Sequence, residues 1–379
     1  MGDERLGTIE DLTVAIAHWH VNSWGGAEYL VTKLAEVVGA QTVFTLGDPT
    51  PDTTNPYGDV SFTDLLSGLD WTPLRRLQGR VGRVFEYALW EDVDWRDYGD
   101  PDVLITSGAT TRAVITPDDT LHVNYCHSPP RWFYDLYHDR KGTLSGKVAR
   151  PLVRYLRTRD MTIDPRVDHY FANSPIIQRR LWKYYKRDAE VLYPPLDLSK
   201  YRNDGDEEFY LHLGRLDVEK GVPEIVAAFE RLEETLVLAG GKGDVSDEMV
   251  ERIERAPNID YRGFVSEEVK YNLLATCRGV VFNGRNEDFG IVPIEANASG
   301  KPCLVPNEGF PEMFIEDGVN GLIHDGSATG IMKAIGKYSS SSFEKDLRTR
   351  VLDMSVPEFK SKLTRDVSEK IISHIGIRR

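Results

Sequence analysis

The chain has 379 residues, of which 41% are hydrophobic and 10% aromatic. This length and composition predict two globular domains with sizeable cores and exclude a disordered chain. The net charge of −14 argues against a nucleic-acid-binding protein. Residues 1–12 are charged and polar, unlike a secretory signal, and no apolar run approaches the ~20 residues that span a bilayer.

The first half of the chain alternates short apolar runs with helical patterns, which is typical of α/β domains. Strands are predicted over residues 14–17, 42–44, 103–106, 122–125 and 169–172, and a helix over residues 28–38. Residues 47–65 are rich in Pro, Gly, Asp and Thr and are predicted to form a surface loop.

The second half repeats the strand–helix pattern, which predicts a parallel sheet. Its strands are predicted over residues 209–213, 235–239, 259–262, 280–283, 303–305 and 321–324. A linker rich in Pro, Asn and Asp covers residues 194–208. We therefore expect one domain over residues 1–197, a second over 207–355, and a C-terminal helix over 356–379.

Three cysteines, Cys126, Cys277 and Cys303, show no metal-ligand spacing. An odd and sparse set predicts reduced core thiols, and therefore a cytoplasmic location.

Two carboxylates, Glu287 and Glu295, flank a loop-to-helix junction at Phe289-Gly290 that follows a buried apolar run. The N-terminus of such a helix binds anions through its free N–H groups and dipole. Carboxylates beside it would repel a phosphate unless they hold sugar hydroxyls, so the pattern indicates a sugar nucleotide. The alternative is a capped surface helix with scattered acidic residues.

Another loop follows the strand at 209–213 and places Arg215 and Lys220 between Gly214 and Gly221. Open α/β sheets bind ligands at the carboxyl ends of their strands. An Arg fork and a Lys point charge together neutralise a diphosphate, and the glycines leave room for close backbone approach. The alternative is a basic pair on a solvated loop.

These motifs resemble the retaining glycosyltransferases of family four. The resemblance covers residues from about 14 to 324. It rests on Gly-Arg-Leu-x3-Lys-Gly at Gly214, on Glu-x7-Glu at Glu287, and on further segments at Gly25–Glu28, Asn124–Arg131, Phe171–Ser174, Tyr193–Asp197, Leu236–Gly241 and Arg262–Val265.

The resemblance implies an α/β fold of the B type, in which two Rossmann-like domains face across a cleft and a C-terminal helix returns to the N-terminal domain. It implies a nucleoside diphosphate sugar as donor. Arg215 and Lys220 would hold the leaving diphosphate, Glu287 and His127 the transferred sugar, and Glu295 the ribose. Backbone groups would contact the phosphates at Gly25, Gly26, Phe289, Gly290 and Ile291, and the base at Gly263, Phe264 and Val265. Gly214 would belong to the same donor-binding set.

The expected activity is transfer of a hexose, with retention, from GDP-mannose or a UDP-hexose to a glycan or lipid-linked acceptor. The motifs favour the mannosyltransferase-like branch of polysaccharide assembly. No cofactor is expected and no divalent metal, because Arg215 and Lys220 supply the phosphate cation.

A basic stripe of Arg150, Arg154 and Arg157 alternates with the apolar residues Leu152, Val153 and Leu156. Such a stripe in an acidic chain predicts contact with an anionic membrane surface or a lipid diphosphate. The protein would then lie at the inner face of the cell membrane. The alternative is a solvated helix whose arginines pair with acidic residues.

Three other functions fit parts of the pattern. A sugar-nucleotide epimerase on the same fold would yield no transferred glycoside. A non-catalytic sugar-nucleotide-binding protein would have no chemical need for Arg215, Lys220, Glu287 and Glu295 together. A nicotinamide dehydrogenase would place Gly-x-Gly-x-x-Gly after the first strand, where this chain has Trp24-Gly25-Gly26-Ala27-Glu28.

Overall fold

The computed structural model describes residues 12–21, 24–47, 55–67, 82–138 and 144–377. The chain folds into two compact units, Met1–Pro195 with Phe359–Arg379, and Leu196–Glu358. The predicted linker residues from Leu196 onward lie with the second unit, because Leu196 N–H donates to Met354 O at 2.7 Å and Leu196 O accepts from Val356 N–H at 3.2 Å.

The first unit contains, among its described residues, a seven-stranded parallel sheet of order β3-β2-β1-β4-β5-β6-β7. The strands are β1 Val14–His18, β2 Thr42–Thr45, β3 Ser61–Asp64, β4 Val103–Ser107, β5 Leu121–Cys126, β6 His169–Ala172 and β7 Glu190–Val191. The α-helices are α1 Gly26–Val38, α2 Gly82–Glu91, α3 Leu144–Ile163 and α4 Pro175–Tyr185.

The second unit contains a six-stranded parallel sheet of order β10-β9-β8-β11-β12-β13. Its strands are β8 Phe209–Leu213, β9 Thr235–Ala239, β10 Ile259–Tyr261, β11 Gly279–Val281, β12 Cys303–Pro306 and β13 Gly321–His324. Its α-helices are α5 Val222–Phe229, α6 Asp247–Arg255, α7 Glu267–Thr276, α8 Ile291–Ala298, α9 Gly309–Phe314 and α10 Ala328–Tyr338, and α11 Val356–Ile377 follows.

The prediction of a surface loop over residues 47–65 is wrong at its end, where β3 pairs with β2. This strand lies at the edge of the sheet, and its residues Ser61 and Thr63 are exposed. An edge strand with a solvated face has a polar composition, which the sequence pattern does not separate from that of a loop.

Helix α11 returns to the first unit, as predicted. Its residues Phe359, Leu363, Val367 and Ile371 are spaced three or four apart and pack into the hydrophobic core that also contains Leu34. Burial of each such side chain stabilises the fold by ~1.5–3 kcal/mol.

Both sheets bring the ends of distant strands together. β1, β4 and β5 are neighbours in the first sheet, and β8 and β11 are neighbours in the second. Because the strands are parallel, the residues after them meet at one edge, where the strand order reverses and ligands bind in doubly wound folds.

Cys126, Cys277 and Cys303 are buried, and no disulfide joins them. Within the described ranges, no helix is both long and apolar enough to cross a membrane.

Candidate functional site

The loop after β8 begins with a close approach between two backbones. Gly214 donates its N–H to Ala239 O at 3.0 Å, and its own carbonyl oxygen would lie 1.9 Å from a Cβ placed on Gly240. Only glycine fits at position 240, where φ is +153°. Beyond this contact the Arg215 side chain is 73% exposed, and its Nη2 lies 2.9 Å from Oδ2 of Asp217.

Lys220 and Glu287 are in direct contact. Lys220 Nζ donates to Oε1 of Glu287, so the loops after β8 and β11 are joined by an ion pair. Two further hydrogen bonds strengthen this junction. Arg285 N–H donates to Glu219 O at 3.0 Å, and the side-chain Nδ2 of Asn283 donates to Gly221 O at 3.3 Å. The pair places a cation beside a carboxylate at the edge where ligands bind.

The segment around Glu287 is held from the side of α9. Phe310 N–H donates to Glu287 O at 2.9 Å, and a Cβ on Gly309 would lie 2.8 Å from the Glu287 backbone. The ring of Phe289 stacks on Phe310 with centroids 5.4 Å apart. Helix α8 begins at Ile291 rather than at Phe289 as predicted, because Gly290 has a φ of +67°, outside the helical region.

Glu295 is buried in α8 and already has two partners. Its Oε1 accepts from Tyr201 Oη at 2.9 Å and from Lys270 Nζ at 3.0 Å. Lys270 also donates to Oε2 of Glu267 at 2.8 Å. Burial opposes the charged form of Lys270, but the Glu295 and Glu267 carboxylates outweigh it and raise the pKa of Lys270 above its usual value. A lysine that stays charged orients the Glu295 carboxylate.

The predicted base-framing segment lies at the same edge as Gly214. Gly263 O accepts from Gly240 N–H at 2.7 Å, and the φ of Gly263 is +64°. Phe264, which follows, is 87% exposed, while Val265 is half-buried. The loops that follow β8, β9 and β10 therefore lie at one edge of the second sheet.

In the first unit, a series of polar contacts connects His127 to the glycine loop. His127 Nε2 lies 2.8 Å from Ser107 Oγ, and the same oxygen lies 3.0 Å from Nδ1 of His18. Nε2 of His18 lies 3.6 Å from Oε1 of Glu28, whose Oε2 accepts from Gly25 N–H at 3.0 Å. The glycine loop is thus linked to His127 through three side chains.

His127 is kept neutral and held in place by its surroundings. Burial, with a smaller contribution from His18, lowers the pKa of His127 to about 3. Asn173 Nδ2 donates to His127 O at 3.1 Å, which explains the presence of Phe171–Ser174 beside the histidine segment.

A Cβ on Gly26 would point into open space in the described part of the unit, so the backbone there is accessible.

His18, Ser107, Lys270 and Tyr201 were not predicted as site residues. His18 is the last residue of β1 and Ser107 the last of β4, so their positions at strand ends were the available signal. Glu28 lies in the glycine motif, but the motif does not indicate what its side chain contacts. Lys270 and Tyr201 carry no motif of their own.

Helix α3 presents only part of the predicted basic stripe. Arg154 is exposed, as are Leu152 and Tyr155, which are 45% and 57% exposed. Leu156 instead lies in the hydrophobic core and does not belong to an exposed stripe. The guanidinium of Arg157 lies 4.5 Å from the ring centroid of Tyr137.

The arrangement in the second unit suits a ligand with a diphosphate and several hydroxyl groups. Lys220 and Arg215 supply positive charge, α8 supplies an N-terminus, and Glu287 and Glu295 supply acceptors. Among the residues whose side chains are described, no three His, Cys, Asp or Glu groups are arranged to hold a metal ion.

Two parallel Rossmann-like sheets with a returning terminal helix define the predicted fold class, and a solved structure confirms it. Anabaena Alr3699/HepE in complex with UDP and glucose superposes with a TM-score of 0.69 at 16% identity, covering 94% of this chain and 100% of that chain. At this identity the likeness shows the fold alone.

The resemblance of the sequence to glycosyltransferases is also confirmed over the second unit. Residues 196–351, which include Arg215, Lys220, Glu287 and Glu295, match the family described as Glycosyl transferases group 1. The chain is 28% identical over 263 residues to the alpha-1,3/1,6-mannosyltransferase ALG2 of Saccharomyces cerevisiae, covering 55% of this chain and 50% of that protein. It is 30% identical over 138 residues to O-antigen chain mannosyltransferase C of Escherichia coli, covering 35% and 37%. The chain thus spans half or less of the length of these two relatives.

Proposed function

We propose that the protein is a retaining glycosyltransferase that moves a hexose from a nucleoside diphosphate sugar to a glycan or lipid-linked acceptor. The observation that carries the proposal is the contact between Lys220 and Glu287 at the carboxyl edge of β8 and β11. A cation paired with a carboxylate suits the junction between a diphosphate and a sugar, since each partner binds one half of the donor.

The leaving diphosphate gains negative charge as the glycosidic bond breaks. Fixed cations at that position stabilise the transition state more than the ground state. Lys220, held by Glu287, and the exposed Arg215 perform this task. The free N–H groups at the start of α8 add to it.

The hydroxyl groups of the donor are bound by the two carboxylates. Glu287 accepts from the transferred sugar, and Glu295 accepts from the ribose. Lys270 and Tyr201 already bond Oε1 of Glu295, which leaves Oε2 for the ribose hydroxyls.

The donor we propose is GDP-mannose or a UDP-hexose. Mannose is favoured by the names of the two relatives, and a UDP-hexose by the UDP and glucose of the Anabaena structure. The bond from the anomeric carbon to the phosphate oxygen breaks, the acceptor oxygen bonds to the same face of that carbon, and its proton passes to the departing diphosphate. The analogy with the fold supports this same-face step. No metal takes part in the proposed reaction.

The test is a panel of nucleoside diphosphate sugars scored for thermal stabilisation and for hydrolysis. A donor at 100 times its Kd raises the free energy of unfolding by ~2.7 kcal/mol. We expect one base and one sugar to give both stabilisation and slow release of the diphosphate. A panel without stabilisation contradicts the proposal. Stabilisation without cleavage indicates a sugar-nucleotide sensor, and conversion to an epimeric donor indicates an epimerase.

We further propose that the protein works as a peripheral enzyme at the cytoplasmic face of a membrane. Exposed Arg154, beside exposed Leu152 and Tyr155 on α3, supports the proposal. Each arginine near an anionic surface contributes ~1 kcal/mol, and added salt weakens it. The test is co-sedimentation with anionic and neutral liposomes, for the wild type and a triple Arg→Glu variant of positions 150, 154 and 157. Equal binding by both proteins, or none, leaves α3 as a solvated helix and indicates a soluble acceptor.

A further inference from the structure

The direction of the hydrogen bonds that join His18, Ser107 and His127 determines which nitrogen of His127 carries its proton. Ser107 Oγ lies between two imidazole nitrogens, Nδ1 of His18 at 3.0 Å and Nε2 of His127 at 2.8 Å. A hydroxyl has one proton to donate. The serine therefore donates to one histidine and accepts from the other, and the two tautomers are coupled.

Glu28 determines the direction of the hydrogen bonds through Ser107. The Nε2 atom of His18 is fully buried, makes no hydrogen bond, and lies 3.6 Å from Oε1 of the carboxylate. A bare nitrogen lone pair would face that negative charge, whereas an N–H is attracted to it. For a neutral His18 the proton is therefore favoured on Nε2, which leaves Nδ1 to accept from the hydroxyl of Ser107. The serine oxygen then accepts, and Nε2 of His127 donates.

We propose that Glu28, His18 and Ser107 are positioning residues that hold His127 as the Nε2–H tautomer, with Nδ1 as a bare hydrogen-bond acceptor. Within the described residues, Nδ1 makes no hydrogen bond. The ring is held on one side by Trp19, with centroids 5.7 Å apart. Trp19 is held in turn by Gly108, where a Cβ would lie 2.5 Å from the indole.

The consequence for catalysis rests on the proposed function, whereas the tautomer does not. The reacting sugar develops positive charge as the diphosphate leaves. A neutral imidazole that presents a lone pair to the sugar stabilises that charge, and one that presents an N–H opposes it. The three positioning residues would therefore affect turnover more than donor binding.

Glu28→Gln is predicted to reverse the direction of the hydrogen bonds between His18, Ser107 and His127. Oε2 of Glu28 accepts from Gly25 N–H at 3.0 Å, so the glutamine must place its amide oxygen there. Its NH2 group then faces Nε2 of His18. That nitrogen becomes the acceptor, Nδ1 of His18 donates to Ser107, the serine donates to Nε2 of His127, and Nδ1 of His127 is protonated.

The experiment is a long-range proton–nitrogen correlation spectrum of the full chain with ¹⁵N-labelled histidine at pH 8, assigned with His127→Gln and His18→Gln. We expect Nε2–H at His127 in the wild type and Nδ1–H in Glu28→Gln. The double variant Glu28→Gln with Ser107→Ala should not show the reversal, since the transmitting hydroxyl is gone. Glu36→Gln is the matched control, because Glu36 lies on the same helix and pairs with Lys33 at 2.7 Å.

Three results would overturn the inference: Nδ1–H at His127 in the wild type, both nitrogens of His18 protonated at pH 8, or an unchanged tautomer in Glu28→Gln. Once a donor is known, kcat should fall ~10-fold or more in Glu28→Gln while donor Kd stays within about twofold. If the tautomer reverses but the protein turns over no donor, the coupling of Glu28 to His127 is supported and the proposed function is refuted.

Discussion

Lys220→Met tests the role of the cation at the edge of the second sheet. The variant removes the ammonium group that contacts Glu287 and keeps most of the volume of the side chain. At an effective dielectric constant near 20, a unit charge about 4 Å from an anionic oxygen contributes ~4 kcal/mol. Only the part of this interaction energy that grows as the glycosidic bond breaks accelerates the reaction. Loss of one positioned group of this kind typically raises the barrier by ~2.7–4 kcal/mol, or ~100-fold or more in kcat.

The effect on stability should be small. The side chains of Lys220 and Glu287 are 33% and 23% exposed, so solvent screens the pair and its contribution to stability is ~1 kcal/mol or less. Lys337→Met is the matched control, because Lys337 pairs with Asp317 at 2.9 Å on the same unit, in the last turn of α10.

The assay is steady-state release of the nucleoside diphosphate, with thermal unfolding measured alongside. We expect Lys220→Met to lose ~100-fold in kcat, with little change in donor Kd, and Lys337→Met to lose none. Wild-type turnover in Lys220→Met would refute the assignment of this residue to the diphosphate. Equal losses in both lysine variants would show that the assay reports general stability.

Three other predictions concern binding, pH and metals. Glu295→Gln should raise donor Kd ~10-fold or more, since hydrogen bonds to a charged group contribute ~1.5–3 kcal/mol. Glu287→Gln should mainly lower kcat. If both variants change donor Kd and kcat equally, the two carboxylates do not have separate roles. Burial lowers the pKa of both His122 and His212 to about 4, so the unfolded chain binds protons that the folded chain excludes. The free energy of unfolding should therefore fall as pH drops from about 6.5 to 4, by on the order of 3 kcal/mol for each residue. Urea unfolding of His212→Gln should show a smaller fall over the same pH range. If the pH dependence of this variant equals that of the wild type, burial of His212 is not the cause. Dialysis against EDTA should leave turnover unchanged, and an activity that Mg²⁺ or Mn²⁺ restores would show a metal requirement.

The second-unit site could be predicted to a large extent because its local signals agree. A glycine-flanked basic loop after one apolar strand and a carboxylate loop after another predict a shared edge once both strands are parallel. The structure adds what spacing does not encode, namely the contact of Lys220 with Glu287 and the burial of Glu295 against Lys270. These contacts depend on which strands are neighbours, and that order arises from packing of the whole sheet.

The first-unit chain could not be predicted for the same reason. His18, Ser107 and His127 are far apart in the sequence and meet because β1, β4 and β5 are neighbours. The sequence predicted those strands but not their order. Strand β3 was missed because its polar edge composition is that of a loop. The position of Leu156 along the helix predicts that it belongs to the exposed stripe, whereas the core of the first unit buries it.

The stereochemistry of transfer to water tests the central claim most directly. With the donor identified by the panel, an excess of the full chain should release free hexose slowly, and proton NMR at early times reports its anomeric configuration before mutarotation. The account predicts that the first hexose released has the same configuration as in the donor, and that Lys220→Met releases it ~100-fold more slowly. An inverted first product, or no cleavage of any nucleoside diphosphate hexose by the wild type, would contradict it.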